Sequence, residues 1–186
     1  TPVIGMVGLL EDSSKHMDMA FKDPGDMILA IGAINGGLGG SEYLKSFYGL
    51  VEGPIPEIDL EVELSIQKIC LELIDKGFIK SAHDVSLGGI ITALAEMCIK
   101  GKIGIKIKKP NYLINQFEYL FSEDQGRYIV EIEKNDYNKV IEILDKSLVH
   151  YDELGIVTEK NMIINDKAKV TIDELIASNT NWLTNY

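Results

Sequence analysis

Cysteine is scarce in this sequence, which has only two, Cys70 and Cys98, among 186 residues. Neither belongs to a C-x-x-C motif or to a Cys/His cluster, so the pattern does not indicate a disulfide framework or a structural zinc site. Each falls inside an apolar helical pattern, where a reduced thiol packs as a small hydrophobic group. This favours a structural role over a disulfide or metal pair, and it fits a cytoplasmic protein.

Positive charge is also in short supply, since 18 Lys and Arg residues face 29 Asp and Glu residues and the formal net charge is −11. Such a surface repels DNA and RNA, so the charge balance disfavours nucleic acid as a partner. An anionic small ligand would need local help from backbone N–H groups, from a helix N-terminus or from a divalent cation.

Long apolar runs are missing, because none approaches the roughly 18 to 20 residues that cross a bilayer, and no signal-peptide pattern opens the chain. With 46% hydrophobic and 25% charged residues, the composition predicts a single soluble domain over residues 1–186 that does not enter a membrane. The chain begins at Thr1, directly in an apolar run. We therefore expect a segment of a longer polypeptide, with part of any active site outside it.

Strand and helix patterns alternate along the chain. Short apolar runs predict strands at 3–10, 27–33, 103–107 and 127–133. Helical spacing predicts helices at 60–76, 89–99 and 136–148, with a shorter helix between Ser41 and Gly49. A strand meander and a final helix with a Thr171–Glu174 capping box follow. The predicted fold class is an α/β (α+β) sandwich in which a mixed β-sheet packs against helices.

The stretch "SAHDVSLGGI", residues 81–90, carries the most suggestive chemistry. Ser86 can cap the following helix, while Gly88 and Gly89 let a ligand approach the N–H groups at the helix start. Asp84 can bind a hard cation through oxygen, and His83 can orient the loop. The alternative from spacing alone is an ordinary capped helix whose Asp and His bond to nearby backbone.

Two further polar stretches give weaker signals. "NGGLGGSEY", residues 35–43, is rich in glycine but follows no phosphate-binding spacing, so a turn capped by Ser41 is the simpler interpretation. "SEDQGRY", residues 122–128, gathers charged side chains before a strand and is interpreted as an internally paired polar turn. A Ser/His/Asp or Cys/His nucleophilic site stays open, although no nucleophile-elbow motif supports it.

Four stretches in order carry a family resemblance: "TPVIGMVGLLED", "LGGSEYL", "SAHDVSLGGIITALAEM" and "LFSEDQGRYIVEI". Together they resemble the C-terminal domain of the synthetase subunit of phosphoribosylformylglycinamidine synthase, from residue 1 to about residue 160. "LGGSEY" and "EDQGRY" distinguish this group from aminoimidazole ribonucleotide synthetase, selenophosphate synthetase and thiamine-monophosphate kinase. The resemblance implies the C-terminal fold of the aminoimidazole ribonucleotide synthetase superfamily.

The resemblance also implies a function in purine biosynthesis. The family is an ATP-dependent ligase that converts formylglycinamide ribonucleotide to formylglycinamidine ribonucleotide with ammonia from glutamine. The implied cofactor is Mg²⁺, with ATP as a substrate. Implied partners are a glutaminase subunit, a small bridging subunit and the N-terminal part of the same synthetase chain, and an isolated fragment could also form a homodimer. This chain alone is expected to carry no catalytic residue and no amidotransfer activity.

Site residues follow from the family pattern H-D-x-S-x-G-G. Its Asp is associated with Mg²⁺ and its Ser with an adenine nucleotide, which implies a metal role for Asp84 and a nucleotide role for Ser86, Gly88 and Gly89, supported by His83. Leu87 stands where the family usually has Asp, so one carboxylate is missing from the loop. The alternatives are a non-catalytic scaffold domain, aminoimidazole ribonucleotide synthetase, or a kinase of the same superfamily.

Overall fold

The computed structural model describes residues 3–108 and 114–184, with side chains described to residue 181. Its centre is a seven-stranded sheet in the order β2-β4-β1-β5-β3-β6-β7. Every neighbouring pair is antiparallel except β3 and β6, which are parallel. The predicted mixed sheet is therefore confirmed. The strands are β1 (Met27–Ile31), β2 (Ser81–Asp84), β3 (Gly104–Ile107), β4 (Tyr128–Ile132), β5 (Tyr151–Thr158), β6 (Asn161–Ile164) and β7 (Ala168–Thr171).

Helices cover both faces of this sheet. They are α1 (Glu42–Tyr48), α2 (Leu60–Asp75), α3 (Gly89–Gly101), α4 (Gln116–Phe121), α5 (Tyr137–Ser147) and α6 (Ile172–Thr184). One apolar core joins α3, α4 and α6 to the sheet, and a second core joins α2 and α5 to the opposite face. Successive residues of β1 supply the two cores in turn, because strand side chains alternate between faces. The sandwich fold predicted from sequence is confirmed.

Most local predictions agree with the structure. Ser41 caps α1 by accepting the Leu44 N–H, and Gly49 ends that helix in the left-handed conformation. Thr171 and Glu174 exchange the two hydrogen bonds of a capping box at the start of α6. Cys70 and Cys98 are free, buried thiols in α2 and α3, and burial raises the pKa of each to about 12, which keeps them protonated and inert.

Other predictions were wrong or incomplete. Residues 3–10 form no strand: none of the described strands pairs with them, and their apolar side chains are exposed. Strand β2 and helix α4 had not been predicted, because β2 is only four residues long and α4 only six. Ser86 does not cap α3, which begins at Gly89 after a left-handed Gly88 and has no side-chain cap.

Candidate functional site

The strand pairing brings three loops to one end of the sheet. In the register, Tyr128 at the start of β4 lies opposite Ile31 at the end of β1 and Asp84 at the end of β2. The segments that leave β1 and β2 and the segment that enters β4 must therefore meet. We call them the glycine loop (35–41), the HD loop (85–88), which directly follows His83 and Asp84, and the acidic loop (122–127). They correspond to the three polar stretches that the sequence analysis selected.

A cavity of about 440 Å³ lies among these loops. All three loops line it, as does the start of α2; the lining includes Gly39, Gly40, Glu63, Asp84, Ser86 and Glu123. A concave pocket that collects polar groups from several loops is the usual form of a small-molecule site. The structure thus places the sequence-predicted Asp84 and Ser86 at one cavity.

Asp124 organises the glycine loop. The residue is only 4% exposed, and its carboxylate accepts three backbone N–H groups, from Asn35 and Gly36 at Oδ2 and from Gly37 at Oδ1, each at 3.0 Å. A buried carboxylate is stable in this setting because the converging N–H groups replace its lost hydration. Glycine at position 37 lets the backbone approach the carboxylate this closely, because a Cβ there would come within 2.7 Å of Asp124 Oδ1.

Arg127, the only arginine in the sequence, is buried beneath the acidic loop. Its Nη2 and Nε donate to the carbonyl oxygens of Ser122 and Asp124 at 2.6 and 3.0 Å, and its Nη1 donates to Ser122 Oγ. Its Nη1 also lies 4.0 Å from Asp124 Oδ2. Arg127 therefore fixes the turn from inside, which confirms internal pairing for this part of "SEDQGRY".

Glu123 makes contacts that the sequence analysis missed. Its Oε1 accepts the N–H of Gly88 in the HD loop and the N–H of Glu42 at the start of α1, both at 2.8 Å. Its own N–H donates to the Gly37 carbonyl. No spacing rule connects residues 42, 88 and 123, because they are brought together only by the strand register.

Asp84 lies at the mouth of the cavity, with its side chain 66% exposed. Its Oδ1 is 3.2 Å from His83 Nδ1, and the other ring nitrogen of His83 is 2.9 Å from Glu96 Oε2 on α3. His83 thus links Asp84 to the body of a buried helix. The loop-orienting role of His83 stays a prediction.

The N–H groups of Gly88 and Gly89 already have acceptors within the protein. Gly88 donates to Glu123 Oε1, and Gly89 donates to the Ser86 carbonyl at 3.1 Å. Both glycines have positive φ, and a Cβ on Gly89 would come within 2.8 Å of the backbone of residues 120–122. The close packing of α3 against the acidic loop therefore accounts for these glycines, and their N–H groups in this conformation are not directed to a ligand.

The cavity is acidic. Among the described residues that line it are the carboxylates Glu63, Asp84 and Glu123, while the one cationic side chain, Arg127, points its donors at the acidic loop. A bare phosphate would be repelled, and a divalent cation would offset that repulsion. Within residues 3–108 and 114–181, however, no group of three or more His, Cys, Asp or Glu could hold a metal ion. Asp84 fits Mg²⁺ only as one ligand whose other positions would be filled by water or phosphate oxygen.

Comparison with known families places the cavity within a known domain family. The family model described as "AIR synthase related protein, C-terminal domain" matches residues 23–166, which include the whole cavity wall. The chain belongs to this family. The match confirms the superfamily that the motifs indicated, and it covers β1 through β6 of this AIR synthase related domain.

Individual relatives refine the position within the family. The chain is 55% identical over all 186 residues to the phosphoribosylformylglycinamidine synthase subunit PurL of Pelagibacter ubique, covering 26% of that protein. It is 43% identical over 173 residues to the PurL subunit of Caldanaerobacter subterraneus, covering 24% of it. The resemblance to this synthetase subunit is confirmed, and the chain spans about a quarter of the length of the curated relatives it matches.

Solved structures show the same fold. Thermotoga maritima PurL complexed with FGAR superposes with a TM-score of 0.72 at 24% identity, covering 88% of this chain and 30% of that one. Thermotoga maritima PurL complexed with ATP gives a TM-score of 0.68 at 23% identity, with 88% and 28% covered. In the described part of this chain, no helix is long and apolar enough to cross a membrane.

Proposed function

We propose that this chain acts as the C-terminal region of a PurL-type synthetase in the cytoplasm. Its reaction is the ATP-dependent conversion of formylglycinamide ribonucleotide to formylglycinamidine ribonucleotide, with ammonia derived from glutamine. The 55% identity over the entire chain to a PurL subunit carries the proposal. The remaining synthetase chain, a glutaminase subunit and a small bridging subunit are the partners of this model.

Within the complete synthetase, the domain contributes the wall of a ligand cavity. Asp84 is exposed at the cavity mouth and is available to a Mg²⁺ ion that accompanies a nucleotide, and Ser86 lines the same cavity. When bound, Mg²⁺ neutralises phosphate charge that the acidic lining would otherwise repel. Gly88 and Gly89 support the adjoining HD loop and the start of α3, and their N–H groups are bonded within the protein.

A chimaera tests the proposed function directly. The matching 186 residues of Pelagibacter ubique PurL are replaced by this chain, and formylglycinamidine ribonucleotide formation is measured with ATP, Mg²⁺ and an ammonium salt, so that no glutaminase is required. We expect turnover within about tenfold of the parent, because a chain that is 55% identical over its whole length should keep the same fold and core packing. A folded chimaera with no turnover above background would contradict the proposal.

A non-catalytic scaffold role is the second candidate. It is favoured by Leu87 in place of the family carboxylate and by the bonded N–H groups of Gly88 and Gly89. Titration of the 186-residue chain with Mg-ADP separates the two candidates. Saturable binding that disappears in Asp84→Ala supports a ligand-contacting wall, and absence of heat supports the scaffold. In both cases the isolated chain is expected to show no amidotransfer turnover.

A further inference from the structure

We infer that Glu123 is a positioning residue that sets the distance between the HD loop and the start of α1, which directly follows the glycine loop. The structural part of this inference stands on the hydrogen bonds alone, and its activity test rests on the proposed function. Glu123 lies on the acidic loop and itself lines the cavity. It belongs to neither of the segments that it joins.

One oxygen atom makes the connection. Glu123 Oε1 accepts from Gly88 N and from Glu42 N, each at 2.8 Å, so the starts of α3 and α1 converge on a single acceptor. Gly88 is two residues from Ser86, and Glu42 is two residues from Gly40. Ser86 and Gly40 both line the cavity, so the oxygen joins two segments that each contribute to its wall.

Contacts of the neighbouring residues restrict the movement of both segments that Glu123 joins. A Cβ on Gly89 would meet the Ser122 and Leu120 carbonyl oxygens at 2.7 and 2.8 Å, so α3 already abuts the acidic loop. Asp124, the next residue, holds Asn35, Gly36 and Gly37. Glu123 therefore connects two segments that are anchored on their far sides, and losing its carboxylate leaves two N–H donors without their acceptor.

The bonding pattern separates a positioning role from a chemical one. Both N–H groups reach the same oxygen, and the amide oxygen of glutamine can accept both in the same place. Aspartate keeps the negative charge but is shorter by one carbon–carbon bond and cannot reach both donors. A general base or metal ligand would require the charge and would tolerate aspartate better than glutamine.

Three variants of the active chimaera test whether glutamine is tolerated better than aspartate: Glu123→Gln, Glu123→Asp and Glu123→Ala. We expect kcat/KM of the Gln variant within about threefold of the unsubstituted chimaera, and losses of roughly 10- to 100-fold for Asp and Ala, mainly through KM. The control is Glu131→Ala, which removes a buried carboxylate away from the cavity and should lower stability without raising KM. A Gln variant that loses more activity than the Asp variant, chiefly in kcat, would overturn the inference.

Amide hydrogen exchange on the 186-residue chain gives a second test that needs no activity. The N–H groups of Gly88 and Glu42 should be protected in the unsubstituted chain and in Glu123→Gln, and both should exchange faster in Glu123→Asp and Glu123→Ala. Equal protection in all four proteins would refute the positioning role even if the chimaera were active. If the chimaera fails while this order of protection holds, the proposed function fails and the inference survives.

Discussion

At the scale of single residues, buried carboxylates decide how the loops are built. Asp124 and Glu131 are almost fully buried, and each accepts several backbone N–H groups; Asp124 also has the Arg127 guanidinium 4.0 Å away. Burial of a charge is tolerated only when such donors replace water. These residues therefore matter more to stability than the exposed ion pairs on the helices, which contribute little.

Asp124→Ala should destabilise the chain strongly. The substitution leaves the N–H groups of Asn35, Gly36 and Gly37 without their acceptor and removes the carboxylate nearest to Arg127. We expect the free energy of unfolding to fall by about 3 kcal/mol or more in urea denaturation. Asp75→Ala is the matched control, because Asp75 pairs with Lys15 at the surface and should change stability by less than about 0.5 kcal/mol. Equal effects would contradict this account.

Glu131 should make stability depend on pH. Burial raises the pKa of its carboxyl above the ordinary 4.5, an effect that outweighs the N–H donors of Lys22 and Asp23 and the hydroxyl of Ser81. The folded state thus holds the proton more tightly than the unfolded state, so its stabilising contribution is present below pH 4.5 and is lost as pH rises through the raised pKa.

Urea denaturation across this window measures the effect. Relative to Glu131→Gln, the unsubstituted chain should lose stability as pH rises above 4.5, because the glutamine cannot titrate. Glu133→Gln, at an exposed position after the same strand, is the control for replacing a carboxylate by an amide. Parallel profiles for the unsubstituted chain and Glu131→Gln would count against the burial argument.

At the scale of elements, the start of α3 depends on close packing more than on capping. Gly88 is its N-cap without a side-chain hydrogen bond, and Gly89 presses against the acidic loop. The helix is held by its apolar body, in which Ile90, Leu94 and Met97 are completely buried. Burial of that body fixes where its first turn meets the acidic loop.

Gly89→Ala should therefore cost much more than a glycine substitution with the same backbone angle elsewhere. Gly89 and Gly77 both have φ of +71°, but a Cβ meets backbone at 2.7 Å in the first case and nothing within 4 Å in the second. We expect Gly77→Ala to cost about 1 kcal/mol from backbone strain and Gly89→Ala to cost at least about 2 kcal/mol more. Thermal unfolding of the two variants compares them, and similar melting temperatures would show that the contact is unimportant.

At the scale of the whole molecule, a large apolar surface is exposed. Residues 3–10 are exposed and mostly apolar, and α2 has an outward stripe of Leu60, Leu64 and Leu71 beside its buried face. A groove of about 710 Å³ with Met17, Met19 and Leu71 in its lining adjoins that stripe. Patches of this kind mark surfaces that meet other protein.

The 186-residue chain should bind an apolar fluorescent dye and self-associate in sedimentation velocity as concentration rises. A Leu64→Lys and Leu71→Lys double variant should reduce both signals, because it interrupts the stripe, yet change unfolding free energy little, since both side chains are more than half exposed. A Ser65→Lys and Gln67→Lys double variant, at exposed polar positions of the same helix, adds the same two positive charges and controls for charge. A clean monomer without dye binding would refute the prediction.

The sequence by itself determined much of the fold. Apolar periodicity located α2, α3 and α5, and capping residues located α1 and α6, because these signals act within a few residues of one another. The same local signals were insufficient for residues 3–10, since an apolar run becomes a strand only when another strand supplies its hydrogen-bond partners. Motif resemblance identified the family because ordered stretches such as "EDQGRY" are specific even when their contacts are unknown.

Only the tertiary structure decided which polar groups meet at the cavity. The register that sets Tyr128 opposite both Ile31 and Asp84 brings together three loops that are separated by dozens of residues in the chain. It directs Glu123 to Gly88 and Glu42, and it gives the glycine N–H groups protein acceptors where the sequence suggested a ligand. The physical reason is the separation along the chain of the residues that interact. Helix caps and helical faces depend on residues a few positions apart, whereas these hydrogen bonds depend on how strands that are distant in sequence pair.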